Sequence, residues 1–137
     1  TALLAASARL GAPIGHDFCV INLSDNLKSW DILKSRVIAA AKADFVIAFY
    51  NPRSKSRKNQ LSEIYDVLRK NCKSDRIVIY ANSVSTESEA IFETTLSEAD
   101  ASSVSMKTLV IIGSSSTKKI RNTGYIYTPR YSGVEKN

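Results

Sequence analysis

Short apolar runs alternate with amphipathic stretches along most of this chain. Residues 18–23 (FCVINL) read as a strand, closed by the polar Ser24, Asp25 and Asn26. Ser29 then precedes Trp30, Leu33, Val37 and Ala41, which are spaced for one face of a helix. Residues 44–50 (DFVIAFY) form a nearly continuous apolar run, as expected of a strand buried on both faces. Asn51-Pro52 ends it, because proline donates no ladder hydrogen bond and restrains the residue before it. A second helix follows, with Leu61, Ile64, Tyr65, Leu68 and Cys72 on one stripe. Residues 76–81, 88–94 and 108–113 read as further strands, 96–101 as a short helical turn, and 125–128 as a final strand. The polar tail, 132–137, is expected to be disordered. The pattern predicts one α/β domain over 1–137, with a mixed sheet of about five strands flanked by helices.

The length of 137 residues suits one domain, and 44% hydrophobic with 23% charged residues excludes an intrinsically disordered chain. No run of about 18 apolar residues occurs, so no transmembrane helix is expected. The opening TALLAASARLGAPIG lacks the basic leader of a signal peptide, and a start at Thr1 rather than Met points to a segment of a longer chain. Cys19 and Cys72 form no CxxC, and with one histidine they make no zinc site; no metal is expected. They read as buried reduced thiols of a cytoplasmic protein. The net charge of +6 favours an anionic partner without distinguishing nucleic acid, nucleotide or polycarboxylate.

The five glycines include no GxGxxG and no Walker loop, and GxSxG and HExxH are also absent. Four segments remain as candidates for chemistry. Gly15-His16-Asp17 places the single histidine beside an acid, a pair able to exchange protons with a substrate or merely to shape a turn. Tyr50-Asn51-Pro52 ends an apolar strand where open α/β sheets bind ligands, or is an ordinary strand-to-helix turn. Arg53, Lys55, Arg57 and Lys58 follow directly, as an anion site or a solvated charged face. Ile112-Gly113 opens into the small-residue loop SSST, where low bulk permits close backbone approach to a ligand or simply a flexible turn. Aromatics do not interleave with the cations, which weakens single-stranded nucleic-acid binding.

Taken in order, GAPIGHDFCVINLSD, ADFVIAFYNPRSKSRKNQL, LVIIGSSSTKKIR and YTPRYS resemble the tetrapyrrole (precorrin) methylases, across almost the whole chain. Within that family the likeness is to members that methylate C17 of the macrocycle with ring contraction in cobalamin biosynthesis. The resemblance implies a two-domain enzyme, with S-adenosylmethionine (SAM) bound between the domains and this chain forming the C-terminal half. It implies cofactor contacts from Thr1, Ala2, Tyr50, Asn51, Pro52, Ile112 and Gly113. His16 and Asp17 would face the tetrapyrrole side, as candidates for proton transfer. The expected partners are the N-terminal domain, a second copy in a homodimer, and a polycarboxylate substrate engaged by Arg53, Lys55 and Arg57; neither nucleic acid nor membrane is expected. Residues 81–88, ANSVSTES, lack the Gly and Arg associated with this stretch of the family. The competing readings are a precorrin methylase acting at another carbon, and a non-catalytic binding or dimerisation module.

Overall fold

The computed structural model describes residues 2–24, 29–52, 59–102 and 104–130. Thr1, Arg53, Lys55, Arg57 and the tail 132–137 lie outside the described residues. In chain order the elements are α1 (Ala2–Leu10), β1 (Gly11–Ala12), β2 (Phe18–Asn22), α2 (Trp30–Lys42), β3 (Val46–Tyr50), α3 (Gln60–Asn71) and β4 (Ile77–Asn82). They continue as β5 (Ala90–Thr95), β6 (Thr108–Ile112), β7 (Lys118–Lys119) and β8 (Ile126–Tyr127).

Five strands form one mixed sheet in the order β2-β3-β6-β4-β5. β2 and β3 run parallel, whereas β6 is antiparallel to both of its neighbours and β5 is antiparallel to β4. A small second sheet, β1-β8-β7, joins the two ends of the chain. The expected mixed five-stranded α/β domain is therefore what forms.

Side-chain alternation along the strands builds two cores. Ile47, Phe49, Val78, Tyr80, Val110 and Ile112 face α2 and α3, packing on Leu33, Val37, Leu61, Ile64 and Leu68. Each large aliphatic side chain withdrawn from water here contributes roughly 1.5–3 kcal/mol. Val46, Ala48, Ile79, Ala81, Leu109 and Ile111 face the other way, onto Leu3 and Ala6 of α1 and Ile126 of β8. The central strands β3 and β6 are thus buried on both sides, which is why they read as unbroken apolar runs. α2 starts where expected, with the Ser29 hydroxyl accepting from the Ile32 N–H at 3.3 Å.

Three local expectations differ. The sequence pattern assigns no element to residues 2–10, yet they form α1, whose Leu3 and Ala6 fill the second core. Residues 96–98 make a turn rather than helix, and the Leu96 N–H donates to the Arg76 carbonyl at 2.9 Å. Cys19 and Cys72 are half-buried free thiols, both pushed up from the usual thiol range by desolvation. No helix among the described residues is long and apolar enough to cross a membrane.

Candidate functional site

β2, β3 and β4 all point the same way, so their C-terminal ends open on one end of the sheet. β6 points oppositely and delivers its first residue, Thr108, to that same end beside Asn82. Crevices outside strand C-termini are where open α/β sheets take ligands. At this strand end, called the crevice below, stand Asn22, Tyr50, Asn51, Asn82, Ser83 and Thr108. The first turn of α1 joins them, because the Leu3 N–H donates to the Tyr50 hydroxyl at 3.2 Å.

Hydrogen bonds fix the polar groups here. Asn22 Oδ1 accepts from the Ser24 N–H and from Asn51 Nδ2, each at 2.9 Å, clamping the ends of β2 and β3. The Thr108 hydroxyl accepts from the Ser105 N–H at 2.9 Å and donates to Asn82 Oδ1. Ser83 donates its N–H to the Lys107 carbonyl at 3.1 Å. Asn51 (φ 53), Ser83 (φ 48) and Ser85 (φ 66) all occupy the left-handed region. Such backbone costs of order 1–3 kcal/mol per residue and gathers at functional sites. Asn51 does so although it precedes Pro52, a place where extended backbone is the norm.

Of the residues singled out from sequence, Ala2, Tyr50, Asn51 and Pro52 come together at this end. Ile112 and Gly113 do not. Ile112 lies opposite Ile47, so Gly113 stands about four strand residues, roughly 13 Å, from the Tyr50 end. Ile112 is fully buried in the core against α2 and α3. Gly113 is explained by packing: a Cβ there would sit 2.8 Å from Thr117 Cβ. His16 and Asp17 also fall at the far end, where the Asp17 carbonyl accepts the Val46 N–H at 3.2 Å. His16 is half-buried and Asp17 exposed.

That far end carries its own polar cluster. Arg76 is buried and pairs with Asp44 at 2.9 Å, while Asp44 accepts the Ser115 N–H at 2.8 Å. Asp44 adopts φ 66, a conformation that Asp tolerates better than most residues. A cleft of about 480 Å³ runs beside this pair, bordered also by Lys42, Cys72, Lys73 and Asp75. Among the described residues no group of three or more His, Cys, Asp or Glu side chains could hold a metal ion.

Asn22 and Thr108 were not singled out from sequence, and Asn82 and Ser83 entered it only within 81–88, as a stretch lacking the Gly and Arg of the family. Which strand ends meet depends on the direction of β6.

Comparison with known proteins agrees with this architecture. A family model described as tetrapyrrole (corrin/porphyrin) methylases matches residues 1–100. The chain is 47% identical over 140 residues to a precorrin-3B C(17)-methyltransferase of Sinorhizobium sp, covering 99% of this chain and 55% of that protein. It is 42% identical over 130 residues to a probable cobalt-factor III C(17)-methyltransferase of Salmonella typhimurium, covering 95% and 53%. The crystal structure of the methyltransferase CobJ superimposes with a TM-score of 0.90 at 46% identity, over 94% of this chain and 53% of that one. Cobalt precorrin-4 methyltransferase CbiF, at 15% identity and a TM-score of 0.63 over 82% and 48%, shares the fold alone. The chain spans about half the length of the curated relatives it matches. With its sheet, its crevice and a match over residues 1–100, the chain belongs to the tetrapyrrole methylase family.

Proposed function

We propose that this chain is the C-terminal domain of a SAM-dependent C-methyltransferase. In this reading the enzyme methylates C17 of precorrin-3B, or of its cobalt-bearing counterpart, with ring contraction in cobalamin biosynthesis. The observation that carries the proposal is 47% identity across 99% of the chain to the Sinorhizobium precorrin-3B C(17)-methyltransferase. Because the chain spans 55% of that relative, the proposed active site is completed by an N-terminal domain. Homodimerisation is proposed with it.

The described crevice suits an adenosyl amino acid. The Asn22, Asn51 and Asn82 amides with the Thr108 hydroxyl offer neutral hydrogen-bonding groups held in place. SAM would supply a methyl group already activated on sulfonium, so the residues of this chain need to orient and exclude water more than to act as a strong base. Tyr50, Asn51, Pro52 and Ala2 form one wall in this reading; Asn82, Ser83 and Thr108 form the other. Arg53, Lys55 and Arg57 follow Pro52 in sequence and are proposed to meet substrate carboxylates. His16, Asp17, Ile112 and Gly113 lie at the opposite end of the sheet, and the reading assigns them no part in cofactor contact or methyl transfer.

Calorimetric titration of SAM and its demethylated product tests this, into the chain and into the longer polypeptide that also carries the N-terminal domain. Binding by the longer polypeptide, with weaker or no binding by the chain alone, is the expected outcome. Failure of both to bind would remove the central physical claim.

A further inference from the structure

The walls of the crevice are tied together by α1. Its first turn is held at β3 through the bond from the Leu3 N–H to the Tyr50 hydroxyl. Its last turn carries Arg9, whose Nε donates to Glu89 Oε2 at 3.0 Å. Glu89 precedes β5, so α1 spans one face of the sheet from β3 to the edge strand. The other carboxylate oxygen, Oε1, accepts the Ser85 N–H at 2.8 Å. One side chain thereby grips both the helix and the 83–89 loop. Among the described residues no other hydrogen bond or ion pair joins α1 to that loop.

The loop needs such a grip. Ser83 and Ser85 both sit in left-handed backbone, where a serine is disfavoured. Internal bonds give it a definite shape: the Thr86 hydroxyl and N–H both donate to the Ser83 carbonyl, at 2.6 and 3.1 Å. The Glu89 N–H donates to the Thr86 carbonyl at 3.1 Å, and Val84 packs into the core under α1. The loop begins at Ser83, directly after Asn82 and hydrogen-bonded to Lys107 at the crevice. Displacement of its outer half is therefore transmitted to the Asn82 and Ser83 wall.

We propose that Glu89 is a positioning residue of the crevice, holding Ser83 and Asn82 through the 83–89 loop in the arrangement that receives the cofactor. The inference rests on the reading of this crevice as a SAM site. Glu89 touches no ligand in this scheme; it acts through Ser85 on one side and Arg9 on the other.

The test uses the longer polypeptide with Glu89→Ala, Glu89→Gln and Arg9→Gln, titrated calorimetrically with SAM. Amide exchange is followed at residues 83–89 and, as a control, in α2 and α3. Loss of both carboxylate bonds, to Arg9 and to the Ser85 N–H, and release of the loop predict that Glu89→Ala weakens SAM binding about fivefold to tenfold. Turnover at saturating SAM should stay within about twofold, because the reacting groups are untouched. Glu89→Gln keeps an acceptor for the Ser85 N–H and should retain part of the affinity, as should Arg9→Gln. Exchange should quicken in 83–89 alone. Wild-type affinity in Glu89→Ala, or a loss of affinity with no local change in exchange, overturns the proposal while leaving the crevice reading intact. A wild-type polypeptide that binds no SAM overturns both.

Discussion

Replacing Gly113 by alanine separates two explanations for a glycine at the end of an apolar strand. From sequence the residue allowed either close approach to a ligand or a plain turn; in the structure Thr117 fills the space beside it. An added Cβ would stand 2.8 Å from Thr117 Cβ and 3.0 Å from its Cγ2 and Oγ1. Gly113 has no positive φ, so space rather than backbone conformation selects it. Thr117 cannot move freely, because its hydroxyl accepts the Ser114 N–H at 2.9 Å and meets the Thr128 hydroxyl at 2.7 Å. Thr128 donates its own proton to the Pro13 carbonyl at 2.6 Å, so it accepts from Thr117, and the chain of bonds ties β8 to the segment before β2. Overpacking costs about 1–3 kcal/mol, and each hydrogen bond lost adds about 1 kcal/mol. The expected destabilisation is therefore about 2–4 kcal/mol, a fall in Tm on the order of 10 °C for a domain of this size. Thermal melts followed by circular dichroism measure it. A double-mutant cycle with Thr117→Gly should show Gly113→Ala costing at least about 1 kcal/mol less once Thr117 is trimmed. A Tm for Gly113→Ala within about 2 °C of wild type, with SAM affinity lost, would refute the packing argument and return this glycine to the ligand.

Three further outcomes follow from the same geometry. Tyr65 is buried with its hydroxyl 2.5 Å from that of Tyr80, and desolvation holds it protonated well above the usual tyrosine range. In the unfolded chain it ionises near pH 10. The folded state then holds the extra proton, so its contribution is complete below about pH 10 and stability falls as pH rises further, by up to about 1.4 kcal/mol per unit. Urea midpoints between pH 9 and 11 should show this slope, and Tyr65→Phe should flatten it. Asp44→Ala leaves the buried Arg76 guanidinium without its partner and should cost about 2–4 kcal/mol. Asp44→Asn should cost about half as much, since its amide oxygen still accepts from Ser115 and asparagine tolerates φ 66; urea midpoints distinguish the two. Tyr50→Phe removes the acceptor for the Leu3 N–H, and amide exchange at Leu3 should quicken with a loss of about 1 kcal/mol.

Most of the fold was legible because the central strands are buried on both faces. Runs such as 46–50 and 108–112 have no amphipathic alternative, and the stripe of α3 is unambiguous. α1 was not legible: its Ala-rich sequence carries only a weak apolar stripe, and only the second core shows which residues it buries. β8 was legible as the apolar-aromatic run 125–128, but β1 and β7 are two residues each and depend on pairing between distant parts of the chain, which no local signal records. At the proposed site, Tyr50-Asn51-Pro52 stood out through an abrupt change from apolar strand to turn. Asn82 and Thr108 carried no such change. Their significance comes from a bond between residues 26 apart in sequence.

The direction of β6 decides which loops can cooperate. Had β6 run parallel to β3 and β4, the loop after Gly113 would have joined the Tyr50 end, and the two strand-end segments would have enclosed one ligand together. Because it runs antiparallel, Gly113 is carried to the end that holds Asp44 and Arg76, and Thr108 takes its place beside Asn82. The exchange puts the Thr108 hydroxyl, rather than the serine-rich loop after Gly113, beside Asn82. Independently of β6, the parallel pairing of β2 leaves His16 and Asp17 with the start of β3, away from the Tyr50 end. What remains at the crevice among the described residues is orienting rather than proton-transferring chemistry: amides, hydroxyls and strained backbone, held from both sides by one short helix. That is what the proposed function asks of this chain, since a group that arrives already activated needs alignment and exclusion of water more than a strong base.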